Sequence, residues 1–143
     1  MNPFRNLARA ALAGVFAVSL VGCGNSRYVP VSGVVMLNGK PYPDALVQFQ
    51  PVATKENPEP GRASSARTDA NGRFTLKSVD GHEGAVAGKH RIRFWPANLK
   101  KGEKVKDAVE PIPLDWNSNS NKEFMVPAGG TDKADFDIVT KKS

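Results

Sequence analysis

From Val29 onward the chain never holds apolar residues at helical spacing for three turns, running instead in short alternating stretches closed by Gly, Pro, Asn or Asp. A chain written this way can bury its apolar side chains by stacking the inward faces of paired strands. The spacing predicts strands over residues 31–37, 45–50, 63–68, 73–77, 89–95, 122–126 and 133–139. The first ends at Asn38-Gly39, two residues that tolerate the positive φ of a tight hairpin, and Pro41 and Pro43 stiffen the entry to the second. In that second strand, Ala45, Val47 and Phe49 take the core face and Leu46, Gln48 and Gln50 the other. The same parity turns Phe74, Leu76, Ile92, Phe94, Ala134, Phe136 and Ile138 inward. Asp69-Ala70-Asn71-Gly72 reads as an Asx-type turn, and 51–61, with Pro51, Pro58 and Pro60, as an exposed loop. Residues 96–121 form a connection long enough to be either functional or loosely ordered. The expectation is an all-β fold: about seven strands in a two-sheet sandwich with Greek-key connections.

The residues before this pattern obey a different logic. Arg5 and Arg9 precede a small, apolar run of 12 residues, 10–21, the length of a secretory signal core and short of the roughly 20 residues a spanning helix needs. The run closes on Leu20-Val21-Gly22-Cys23, which resembles the lipobox of bacterial lipoproteins, and the resemblance implies that the Cys23 sulfur carries a diacylglycerol. Two or three acyl chains make an effectively permanent anchor where one is reversible. Residues 1–22 are therefore expected to be a lipoprotein signal peptide, 23–28 a lipidated tether and 29–143 the β domain, at the periplasmic or outer-membrane face of the envelope. Cys23 is the chain's one cysteine, so an intrachain disulfide is excluded.

Within the β domain, Val31-Ser32-Gly33-Val34-Val35, Asn38-Gly39-Lys40-Pro41, Ala45-Leu46-Val47-Gln48-Phe49, Thr68-Asp69-Ala70-Asn71-Gly72-Arg73-Phe74 and Gly88-Lys89-His90-Arg91-Ile92 resemble the carboxypeptidase regulatory-like domains, of the transthyretin-like (prealbumin-like) group of β-sandwiches. With the lipobox and the Pro111-Ile112-Pro113 and Phe136-Asp137 segments, the chain is similar to small lipoproteins of planctomycete bacteria. The resemblance covers about residues 31–138, and its motifs are turn and core signatures, which speak to fold more than to activity. In carboxypeptidases the module accompanies a zinc peptidase domain, for which this chain is expected to have no room. Hydroxyisourate hydrolase, the enzyme of the transthyretin-like group, uses a carboxy-terminal Tyr-Arg-Gly-Ser where this chain has Thr140-Lys141-Lys142-Ser143.

Candidate chemistry is sparse, and the chain is expected to be non-enzymatic, with no cofactor and no metal. The formal net charge is +6, and +4 once Arg5 and Arg9 leave with the signal; the basic residues are scattered without interleaved aromatics, which argues against nucleic acid. His82 and His90 could meet a metal only with help from a group such as Glu83, and surface or turn-stabilising roles fit them better. Asp69, Asn71 and Asp80 lack a complete calcium ligand series. Arg91 and Arg93 are placed to pair with Asp135 and Asp137 if their strands are neighbours. Lys100, Lys101, Lys104 and Lys106 could touch anionic headgroups, and a solvated loop is the simpler reading. Trp95, which shares the outward parity of Arg91 and Arg93, and Trp116, in the long connection, are the candidate binding residues, with packing of Trp116 across the open end of the sandwich the simpler reading for that ring. The expected role is protein interaction or adhesion at the cell envelope, the alternative being a glycan- or peptidoglycan-binding module.

Overall fold

The computed structural model describes residues 27–96, 102 and 112–140. Cys23 and the lysines at 100, 101, 104 and 106 lie outside the described residues. The strands are β1 (Tyr28–Val29), β2 (Ser32–Leu37), β3 (Lys40–Pro41), β4 (Leu46–Pro51), β5 (Ser64–Arg67), β6 (Arg73–Thr75), β7 (Lys77–Ser78), β8 (Ala85–Val86), β9 (Gly88–Trp95), β10 (Glu123–Val126) and β11 (Phe136–Ile138), with a 3-10 turn at Leu114–Trp116.

One sheet runs β10-β9-β4-β5-β7, antiparallel throughout. A second is centred on β2, which pairs in parallel with β11 on one side and antiparallel with β3 and β6 in tandem on the other. A short ribbon, β1-β8, completes the described pairing. The inner faces of the two larger sheets meet through aromatic rings: Phe136 of β11 lies edge-on to Phe49 of β4 at 6.0 Å and to Phe94 of β9 at 5.3 Å. Phe49 and Phe94 are fully buried, and each contributes roughly 1.5–3 kcal/mol by leaving water. Among the described residues the fold is thus all-β with several sheets, an arrangement consistent with a β-sandwich.

The alternating stretches at β2, β4 and β9 form where the spacing predicts, with Val35, Val47, Phe49, Ile92 and Phe94 inward. Asn38 and Gly39 take φ of 52° and 77°, closing the β2–β3 hairpin. That hairpin is brief, since the chain then leaves for the other sheet and β4 never pairs with β2.

The stretch 73–77, predicted as one strand, is two. Arg73–Thr75 pairs with β2 and Lys77–Ser78 with β5, because the chain switches sheets at Leu76, whose side chain is fully buried at the corner and whose N–H donates to Val31 O at 2.9 Å. The last strand is shorter than predicted for a local reason. The Val34 N–H donates to the Asp135 carboxylate at 2.9 Å, so a side chain takes the place of a backbone acceptor and the ladder begins only at Phe136. The two-residue strands β1, β3 and β8 fall below any periodicity a sequence can display. Tyr28, read from sequence as the end of a tether, is already paired with Val86.

Candidate functional site

Strand β9 runs through the interior of the larger sheet, flanked by β4 and β10. Its outward residues are Lys89, Arg91, Arg93 and Trp95. Opposite them on β4 stand Gln50, Gln48 and Leu46, in register with Arg91, Arg93 and Trp95 respectively, and Glu123 of β10 faces Arg91 from the other side. Arg91, Arg93, Trp95, Gln48 and Gln50 are each half-buried.

Electrostatically this face is incomplete. Ion pairs among the described residues join Arg67 to Asp44, Lys77 to Glu83, Lys89 to Glu123 at 3.3 Å, and Lys122 to Asp115; none uses Arg91 or Arg93. The Nε of Arg91 is buried with no hydrogen-bond partner. Residues two apart on a strand have Cα atoms about 7 Å apart, and unit charges at that spacing repel by roughly 0.6 kcal/mol in bulk water and about 2.4 kcal/mol at an effective dielectric of 20. Unpaired buried donors and adjacent like charges are costs that a bound anionic group would offset.

The acids expected to neutralise these arginines are elsewhere. Asp135 and Asp137 belong to the β2 sheet, where Asp135 accepts from Val34 N–H and Asp137 from Gly39 N–H at 3.2 Å, so the predicted cross-strand pairing does not form. Residue parity identifies a face, and two sheets each have one.

Trp95 and Trp116 are not brought together on one platform. Trp95 sits at the end of β9 on the outer face, opposite Leu46. Trp116 packs against the core, 5.7 Å from the Phe94 ring and 6.5 Å from Phe136, with the Lys122 ammonium 4.8 Å from its own ring centroid. The connection holding it is tied down by hydrogen bonds from the Asn117 side chain to Phe94 O and from the Ser120 hydroxyl to Ile92 O.

The two histidines occupy different surroundings. His82 is exposed and stacks on Tyr28, ring centroids 4.6 Å apart. His90 is a core residue, contrary to the surface or turn role expected of it: it shares the inward parity of Ile92 and Phe94, is 1% exposed and lies 5.7 Å from the Phe49 ring. Burial depresses its pKa, its Nδ1 lies 3.1 Å from Gly88 O, and its Nε2 is buried without a partner. The strand parity that turned Ile92 inward applied equally to His90.

Asp69 caps its turn as expected, its Oδ1 accepting from Asn71 N–H at 2.8 Å and Arg73 N–H at 2.9 Å. Asp80 lies in another turn, its pKa lowered chiefly by the Ser78 hydroxyl, which donates to it, and assisted by Tyr28. Among the described residues no three His, Cys, Asp or Glu side chains cluster so as to hold a metal ion. The chain matches no family model, no curated protein and no solved structure.

Proposed function

We propose that this chain is a membrane-anchored, non-catalytic lipoprotein whose β domain, a Greek-key sandwich of the transthyretin-like, carboxypeptidase regulatory-like kind, binds a protein partner at the cell envelope. The reading rests on one observation: Arg91 and Arg93 lie side by side on the outer face of the larger sheet, next to Trp95 and, among the described residues, without an ion pair to neutralise either. Arg and Trp, half-buried here, are among the residue types that dominate binding energy at protein interfaces. The charge asks for an acidic partner, since Glu123 is the one acid among the outward residues of β9, β4 and β10 and, although it stands opposite Arg91, its carboxylate is ion-paired with Lys89. The lipobox at Cys23 supports attachment to the envelope, and the thin supply of nucleophiles and bases supports a role without turnover.

The test is photo-crosslinking in a bacterium that lipidates the chain, with the crosslinker at Gln48, which faces Arg93 across the strand pair. A defined acidic protein captured by wild type, and lost with Arg91→Glu/Arg93→Glu or with mislocalised Cys23→Ala, is the expected outcome. Capture that survives the charge reversal would overturn the assignment of this face. Purified domain whose Trp fluorescence responds to wall fragments, with no protein captured, would move the function to glycan binding through Trp95.

A further inference from the structure

The end of the domain from which its amino terminus emerges can be located in full. Strand β9 starts at Gly88, β10 ends at Val126, β4 ends at Pro51 and β7 ends at Ser78, and the registers put all four termini at one end of the larger sheet. The ribbon β1-β8 lies there too, joining Tyr28 to Val86 just before β9 begins.

The first described residues are bound firmly to this end. Arg27 donates to Glu59 O at 2.9 Å, the Tyr28 hydroxyl reaches the Asp80 carboxylate at 3.3 Å, and the Tyr28 ring stacks on His82. Cys23 precedes Arg27 by four residues, so even a fully extended chain spans only about 14 Å between them. If the Cys23 thioether sits at the headgroup level, the tether holds Arg27, and with it this end of the domain, within about 14 Å of the bilayer surface.

That same end presents apolar surface. Val79 is 64% exposed in the turn after β7, and Met125 is 60% exposed on β10. Met125 also borders a groove whose other walls include Pro51, Val52, Pro60 and Val86. The nearby charges offset one another, with Lys77 on Glu83 and Lys89 on Glu123.

We propose that this end is a membrane-contact surface: it rests on the bilayer interface, Val79 and Met125 enter the headgroup region, and β9 stands away from the membrane with Trp95 farthest out. The occupant is the lipid surface itself, held by apolar contact without a requirement for anionic lipid, because the local ion pairs leave little excess charge. The inference rests on lipidation of Cys23, which the experiment checks separately.

The experiment uses lipidated full-length protein in phosphatidylcholine vesicles, with an environment-sensitive fluorophore on a cysteine introduced as Val79→Cys, Met125→Cys or Val139→Cys. Position 139 follows β11, which runs parallel to β2 and so ends at the opposite end of the domain. Because lipid occupies the Cys23 thiol, each introduced cysteine is the reactive one. Doxyl-labelled lipid should quench the probe at 79 and 125 and leave 139 unchanged, in anionic vesicles as in neutral ones. Insertion of about eight Gly and Ser residues after Ser26 should reduce quenching while the protein still floats with vesicles. Flotation with equal quenching at all three positions overturns the contact surface and leaves the anchor standing; failure to float overturns both.

Discussion

The hydroxyl of Thr68 accepts from Ala45 N–H at 2.9 Å and donates to Tyr42 O at 2.6 Å, holding the buried corner where the chain enters β4. Thr68→Val preserves shape and removes both hydrogen bonds, so urea unfolding should show a loss of about 1–3 kcal/mol at unchanged m, with Thr68→Ser retaining most of the stability. His90 predicts a pH dependence. Its folded pKa lies below the unfolded value near 6.5, so between the two the unfolded state binds more protons and stability rises with pH. The full contribution is present above about pH 6.5 and is lost as pH falls toward the folded pKa. Asp80 contributes with the same sign in a separate, more acidic window, because its pKa is lowered from 3.8. Denaturation midpoints measured across mildly acid pH should therefore fall for wild type and stay flat in that window for His90→Leu. A midpoint equally pH-dependent in the variant would mean that another group carries the effect.

At the scale of elements, β2 depends on a glycine for its partner. A Cβ on Gly33 would lie 2.0 Å from Ala134 O and 2.4 Å from its carbonyl carbon, so Gly33→Ala must push away the backbone that leads into β11 and should cost about 3 kcal/mol or more. Gly129→Ala meets nothing within 4 Å and should stay within about 0.5 kcal/mol, a contrast that thermal unfolding of the two variants would read directly. The longest alternating strands, β2, β4 and β9, were legible in the sequence because each carries three or more periods of burial, and so was the outward parity of Arg91, Arg93 and Trp95. The switch at Leu76 was not, since an inward Leu looks the same whichever sheet its strand joins. The partners of the arginines were misread for the same reason: alternation reports the face of a strand, while the identity of the neighbouring strand depends on long-range pairing. Trp116 lies in a segment without periodicity, so the sequence left two readings of its ring open, presented for binding or packed across the end of the sandwich, and only the contacts with Phe94 and Phe136 decide between them.

For the whole molecule, the proposed attachments obey different physics and should separate under different solvents. Acyl chains on Cys23 would hold the protein by burial of methylenes, about 0.8 kcal/mol each, which salt strengthens slightly if anything. An acidic partner on Arg91 and Arg93 would be held in good part by charge, across a half-exposed face where the Debye length falls from about 10 Å at 0.1 M salt to about 3 Å at 1 M. The rise of β9 from Lys89 to Trp95, about 20 Å, carries that face from the proposed bilayer contact outward into solvent, where screening ions reach it freely. Washing intact membranes with about 1 M salt is therefore expected to elute the partner and leave the lipoprotein in the pellet. Mild detergent at low salt should instead release the lipoprotein together with its partner. Elution of the lipoprotein itself by salt would show that charge, and not acyl chains, attaches the chain to the membrane. A partner that withstands salt but leaves with Trp95→Ala would show that the face binds through its aromatic end, with the arginines serving only to orient what docks there.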